Sequence, residues 1–153
     1  MFTEPTFVPS LANQSMPDAT VIPVLHYPDV AVAAEWLCRA FSFSERLRMG
    51  THRVQLNVGQ GAVVIAHADV AQSAPVWGGH SVMVRVRDVD NHFVVAKAAG
   101  ARIRAEPQSH PFGERQYSAA DLAGHIWTFS QTEANVDPGS WGGKIVEAGA
   151  SAN

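Results

Sequence analysis

The sequence holds a single cysteine, Cys38, so it has no intrachain disulfide to draw on, and that usage fits a reducing compartment. Basic residues are sparse and scattered, 11 Lys and Arg against 14 Asp and Glu. A chain without a basic stripe is not built to follow a phosphate backbone, which sets nucleic acid aside as a partner. The longest apolar runs, such as 62–66, fall far short of the ~20 residues that a spanning helix needs, which sets the membrane aside too. The opening stretch MFTEPTFVPS lacks the basic and apolar regions of a secretory signal. A cytoplasmic location is the expectation. Nucleophile elbows, phosphate loops and Cys-x-x-Cys pairs are also missing. Cys38 lies mid-helix with no histidine nearby in sequence, so it reads as a small core residue and not as a nucleophile.

What is present is a globular composition: 153 residues, 46% hydrophobic and 16% charged, with a net charge of -3. That length suits one domain with a sizeable core. Residues 1–19 carry Pro5, Pro9 and Pro17 without a period and read as an extended arm. Residues 132–153 are rich in Gly, Ala and Ser and read as a loose tail in which Trp141 is an anchor candidate. Between them lies an internal repeat. VIPVLHYPDVAVAAEWLCRAF matches HSVMVRVRDVDNHFVVAKAAG, with Asp29-Val30 and Asp88-Val89 offset by 59. In each copy an alternating strand ends in an Asp suited to cap a helix. Val30, Ala33, Ala34, Leu37, Ala40 and Phe41 give the first helix a core stripe, and Val89, Phe93, Ala96 and Ala99 repeat it before Gly100 stops the second. Three strands follow each helix, near 43–48, 54–58 and 62–67 and then near 101–106, 115–120 and 125–130. PQSHPFG, 107–113, reads as a loop, and 72–79 as the linker between a first module (20–71) and a second (80–131). The pattern is βαβββ twice.

The repeat and the string FGERQYSAADLAGHIWTF resemble the vicinal oxygen chelate superfamily, above all its small bleomycin-resistance and glyoxalase-like proteins. The resemblance rests on Gly113, Arg115, Tyr117, Asp121, Gly124, His125, Trp127 and Phe129, with Val86, Asp88, Val89 and Asp90, and covers about 20–131. It implies an α+β fold in which the two modules form a curved mixed sheet around a U-shaped cavity. It also implies a small-molecule ligand and a homodimer in which partners share or exchange modules. Fold alone does not choose among the family's chemistries.

Side chains alternate faces along a strand. Val82, Val84 and Val86 form an apolar row suited to lie under a helix, which leaves Ser81, Met83 and Arg85 on the concave face. The 59-residue offset adds Ile22, Val24 and His26. Trp127 and Phe129 belong to the helix side, so Ile126, Thr128 and Ser130 face the cavity. Aligning GAVVIAH with GHIWTFS adds Val63, Ile65 and His67. The expected cavity has an apolar floor with a few directional groups, the usual form of a small-molecule site. Its ligand-binding candidates are His26, Ile65, His67, Ser81, Met83, Arg85 and Thr128. Arg85 either favours an anionic ligand group or pairs with an acidic neighbour at the rim. Of the other histidines, His92 reads as packing, His125 as a structural group ordering the last hairpin, and His110 as part of a flap with Pro111 and Phe112. Arg115 has Glu114 or Asp121 available.

Enzymatic members of the resembled family hold a divalent metal, and its four ligand positions carry over onto Ile22, Ile65, Ser81 and Thr128. Such an ion needs several converging N or O donors, which two Ile and two hydroxyls do not supply. The expectation is therefore no metal and no cofactor. Two functions stay open. One is a metal-free protein that sequesters an apolar or aromatic ligand in a dimer cavity. The other is a glyoxalase-like lyase or isomerase or a dioxygenase-type enzyme, including a cofactor-free version with His26 or His67 as general base.

Overall fold

Two aspartates start the two helices. Asp29 accepts from the Val32 amide at 3.1 Å and caps α1 (Val30–Phe41). Asp88 accepts from the Asn91 amide at 3.1 Å and caps α2 (Val89–Ala98). These bonds satisfy amides that the first helical turn leaves without partners. The computed structural model describes Phe7, residues 11–68 and residues 80–145. The expected linker at 72–79, with Trp77, lies outside the described residues.

Around α1 run β1 (Val24–Tyr27), β2 (Ser44–Met49), β3 (Arg53–Val58) and β4 (Gly61–His67). Around α2 run β5 (Val82–Arg85), β6 (Arg102–Ser109), β7 (Glu114–Ala120) and β8 (Ile126–Thr132). The βαβββ unit therefore occurs twice, in an α+β fold with two four-stranded mixed sheets. Their orders are β1-β4-β3-β2 and β5-β8-β7-β6. The central β4 and β8 each pair in parallel with the first strand of their module. β1 and β5 are edge strands.

One core holds the helix-covered faces of both sheets. Leu25, Tyr27, Val54, Leu56, Val63 and Ile65 contribute from the first sheet, and Tyr117, Ala119, Trp127 and Phe129 from the second. The end of α1 reaches the second module directly. The Phe41 ring lies 4.8 Å from Phe129 and 5.6 Å from Trp127, and Phe43 lies 5.4 Å from Trp127. Trp36 joins the stripe read from the sequence. It is buried on α1 and its indole N–H donates to the Ala99 carbonyl at 2.8 Å. The opposite faces of the two sheets therefore look away from the shared core.

Asp121 ties the modules together. It is buried, and its carboxylate accepts from the Tyr27 hydroxyl at 2.6 Å, the Trp127 indole at 3.0 Å and the amides of Ala123 and His125 at 3.0 Å. Burial, with that carboxylate alongside, raises the Tyr27 phenol far above its ordinary range. His125 adds a cross-module bond from Nε2 to the His26 carbonyl at 2.9 Å and packs on Tyr27. Its ring therefore joins the modules and does not order the hairpin alone.

Two local readings need correction. The stretch 107–113 is not all loop, because β6 runs on through Pro107 and Gln108 to Ser109. Pro107 is tolerated because β6 is an edge strand whose pairing shifts between Ala105 and Gln108. Arg115 pairs with Asp90 on α2 at 3.0 Å, and not with Glu114 or Asp121. The described part of the tail carries a short 3₁₀ helix, Pro138–Trp141, whose Trp141 lies 5.5 Å from Phe112.

Candidate functional site

The strand register decides which side chains share the open faces. Leu25 stands beside Ile65 on the core side, and Val24 stands beside Val64 on the other. In the second module Met83 stands beside Thr128 and Arg85 beside Ser130. Val64 is therefore the counterpart of Thr128, an offset one larger than the alignment of GAVVIAH with GHIWTFS. The cause is turn length. Val58 pairs with Gly61 across Gly59-Gln60, whereas Asp121 closes on His125 across three residues, with Gly124 inside the turn. Aligning Gly61 with Gly124 equates a strand residue with a turn residue.

That one-residue slip changes the site, since it moves every side chain of the strand to the other face. Ile65 is 0% exposed and belongs to the core, as does Val63. Neither faces the open side. His67 shares their parity and stands exposed at the end of β4 beside Tyr27, off the open face. Ala62, Val64 and Ala66 take their places. His26 is exposed on the open face of β1. Ser81 is exposed just before β5, Met83 and Arg85 are exposed on β5, and Thr128 is half-buried beside Met83.

The two open faces differ in chemistry. The first is apolar on its β1 and β4 side, with Ile22, Val24 and the buried Ala62, Val64 and Ala66, and polar on β3, where Arg53, Gln55 and Asn57 stand beside them. The second is polar. Ser130 donates to Glu114 at 2.6 Å and accepts from Gln116 at 3.0 Å. Hydrogen bonds from Ser130 and Thr132, helped by the charge of Arg85, hold the Glu114 carboxyl below the usual range. Arg85 forms no hydrogen bond or ion pair with another described residue, and only its charge reaches Glu114. A cavity of about 440 Å³ lies along the seam between the modules, with Val21, Val58, Val82, Met83, Val84 and Arg85 in its walls.

The remaining candidates have structural partners. His92 is half-buried, with Nε2 2.9 Å from the Phe41 carbonyl and Nδ1 2.6 Å from the Tyr117 hydroxyl. The carbonyl only accepts, so Nε2 carries the proton and Nδ1 accepts from tyrosine. Burial lowers the His92 pKa. Burial likewise pushes the Cys38 thiol up, away from a reactive thiolate. His110 stacks on Phe112 with ring centroids 5.1 Å apart.

The metal positions, set on the observed register, are Ile22, Val64, Ser81 and Thr128. Two aliphatic side chains and two hydroxyls do not fit a divalent ion. Among the described residues no three His, Cys, Asp or Glu side chains gather as a metal site. No helix among them is long and apolar enough to cross a membrane.

Sequence reasoning missed Arg46 and Gln55. Gln55 stands beside Val64 on the first open face yet is only 2% exposed. Its Oε1 accepts from Arg46 at 2.6 Å, and its Nε2 donates to the Ser15 carbonyl at 2.9 Å. Arg46 also donates to the Gln14 carbonyl at 2.9 Å. The alternation of Arg53, Gln55 and Asn57 with Val54, Leu56 and Val58 in RVQLNV carried the signal for a polar row on that face.

The model of the Glyoxalase/Bleomycin resistance protein/Dioxygenase superfamily matches residues 21–129. The crystal structure of TioX from Micromonospora sp. ML1 is similar at 38% identity and TM-score 0.62, over 72% of this chain and 96% of that one. A lactoylglutathione lyase from Agrobacterium tumefaciens shares the fold at 18% identity and TM-score 0.57, over 76% of this chain and 96% of that one. The fosfomycin resistance protein FosX from Listeria monocytogenes does so at 14% identity and TM-score 0.61, over 72% and 90%. No curated protein matches the chain.

Proposed function

The chain belongs to the glyoxalase/bleomycin resistance/dioxygenase superfamily, and from that premise we propose that it is a metal-free binding protein for a largely apolar or aromatic small molecule. The ligand rests on the open sheet faces, and a second copy of the chain completes the cavity. The carrying observation is the donor set at the metal positions: Ile22, Val64, Ser81 and Thr128 offer no imidazole, carboxylate or amide.

The second copy follows from the arrangement of the core. Both helix-covered faces are spent on one shared core, so the open faces of a single chain point outward. The edge strands β1 and β5 expose Val24 and Met83, the latter 65% exposed. A concave wall on both sides of a ligand needs another chain opposite. Arg85 supplies a cation at the polar face, suited to a ligand with an anionic or acceptor group at one end. The lyase and resistance proteins among the neighbours share the fold, which does not choose between binding and catalysis. His26 is exposed on the open face, and no described acid or base orients it as a catalytic pair.

The test is isothermal calorimetry of the purified protein against a panel of aromatic and antibiotic-like compounds, with light scattering for the assembly state. The expectation is a dimer that binds at least one such compound near one per chain, with unchanged affinity in chelator. A ligand consumed in a metal-dependent reaction sinks the proposal.

A further inference from the structure

The segment 11–19 is gripped by the first sheet. Asn13 fixes a local turn, its Oδ1 accepting from the Ser15 amide at 3.0 Å and its carbonyl from the Met16 amide at 3.1 Å. That turn presents the Gln14 and Ser15 carbonyls to Arg46 and Gln55. A buried glutamine amide in an apolar sheet face is costly unless its hydrogen bonds are made, and here they are spent on the arm and on Arg46. Pro17 is buried as well. The arm is thus a built part of this face.

Gln55, Val64 and Ala66 of the face are buried, and beside the arm a cavity of about 710 Å³ remains, bounded by Leu11, Met16, Pro17, Asp18, Ile22 and Arg46. That size matches an ordinary small-molecule pocket, ~300–1,000 Å³. Leu11 is 82% exposed and Met16 half-exposed, apolar side chains left open beside a hollow that Asp18 and Arg46 also line. Arg46 spends two of its five N–H donors on Gln55 and Gln14.

Resting on the binding reading above, we infer that residues 11–19 are a wall of the ligand site on the first module, latched by Gln55 and Arg46, and that this site takes a mainly apolar molecule with one acceptor or anionic group for Arg46. The cavity at the arm's side leaves room for a ligand against it, and a disordered arm would not present two ordered carbonyls to two sheet side chains.

Anilinonaphthalene sulfonate, apolar with one anionic group, is the probe, titrated by fluorescence into the full chain. Leu11→Asp changes an exposed side chain and leaves the latch in place. It is expected to weaken dye binding about fivefold with the melting temperature unchanged. Gln55→Leu keeps the side-chain size and removes the latch. It is expected to speed amide exchange at residues 13–18 about tenfold or more and to weaken the dye similarly. Dye binding that is insensitive to both substitutions, or strengthened by Gln55→Leu, overturns the wall and leaves the binding reading standing. No dye binding by the unaltered protein removes both.

Discussion

The two modules share one chain path and differ on both of their faces. In the first, α1 buries seven residues, including Trp36, Leu37 and Phe41. In the second, α2 buries only Val89 and Ala96 and exposes Val94 and Val95. The open faces diverge in turn. The first is apolar on β1 and β4, polar on β3 and crossed by the arm, while the second displays Met83, Arg85, Thr128 and the Glu114–Ser130–Gln116 chain. The helix and strand pattern sets where a face lies. What lies on it is free to change, because open-face residues answer to the ligand and not to the core.

The joint between the modules is where this comparison breaks most readily. Asp121→Ala leaves the Tyr27 hydroxyl, the Trp127 indole and two amides without their acceptor in a buried place. Unfolding in urea is expected to show a loss of about 3 kcal/mol or more. A loss under 1 kcal/mol separates the modules energetically. Gly113→Ala acts between the second module and the start of the tail. Gly113 has φ +88, and an added Cβ runs into the Ala134 carbonyl. A cost of about 1–3 kcal/mol is expected in the same assay.

His92 makes the joint pH-dependent. Its folded pKa lies below its ordinary value, so the unfolded chain takes up the proton first. The contribution is whole above the unfolded pKa, about 6.5, and is lost as pH falls below it. Scanning calorimetry is expected to show a melting temperature that falls on acidification below that pH, and a shallower fall in His92→Gln.

The smallest effects on stability belong to the open faces. Val24→Asp and Met83→Asp each change stability by about 0.5 kcal/mol or less. Val24→Asp is expected to weaken an apolar dye about fivefold and Met83→Asp less, because the neighbours of Val24 on β4 are apolar whereas Met83 stands beside Thr128 and Arg85. The reverse order exchanges the roles assigned to the two faces.

Much of the fold was legible because periodicity and caps are local. The Asp29 and Asp88 repeat places both helices, and alternation puts Leu25, Val82, Val84, Trp127 and Phe129 toward the helices. The site was less legible. One extra residue in the turn after Asp121 moved Ile65, Val63 and His67 off the open face, and turn length is hard to read when two glycines invite alignment. The arm's contacts with Arg46 and Gln55 span 32 and 40 residues, beyond the reach of any local pattern. Trp36 was missed because its partner, the Ala99 carbonyl, lies at the C-cap of the other helix.

The central claim is that the positions Ile22, Val64, Ser81 and Thr128 hold no metal. Elemental analysis of the protein as purified, followed by melting curves with nickel, zinc, manganese and iron(II), tests it most directly. The account predicts no stoichiometric metal and no rise in melting temperature with any of the four. One metal per chain, with the stabilisation that linkage demands, contradicts it and makes catalysis the leading reading.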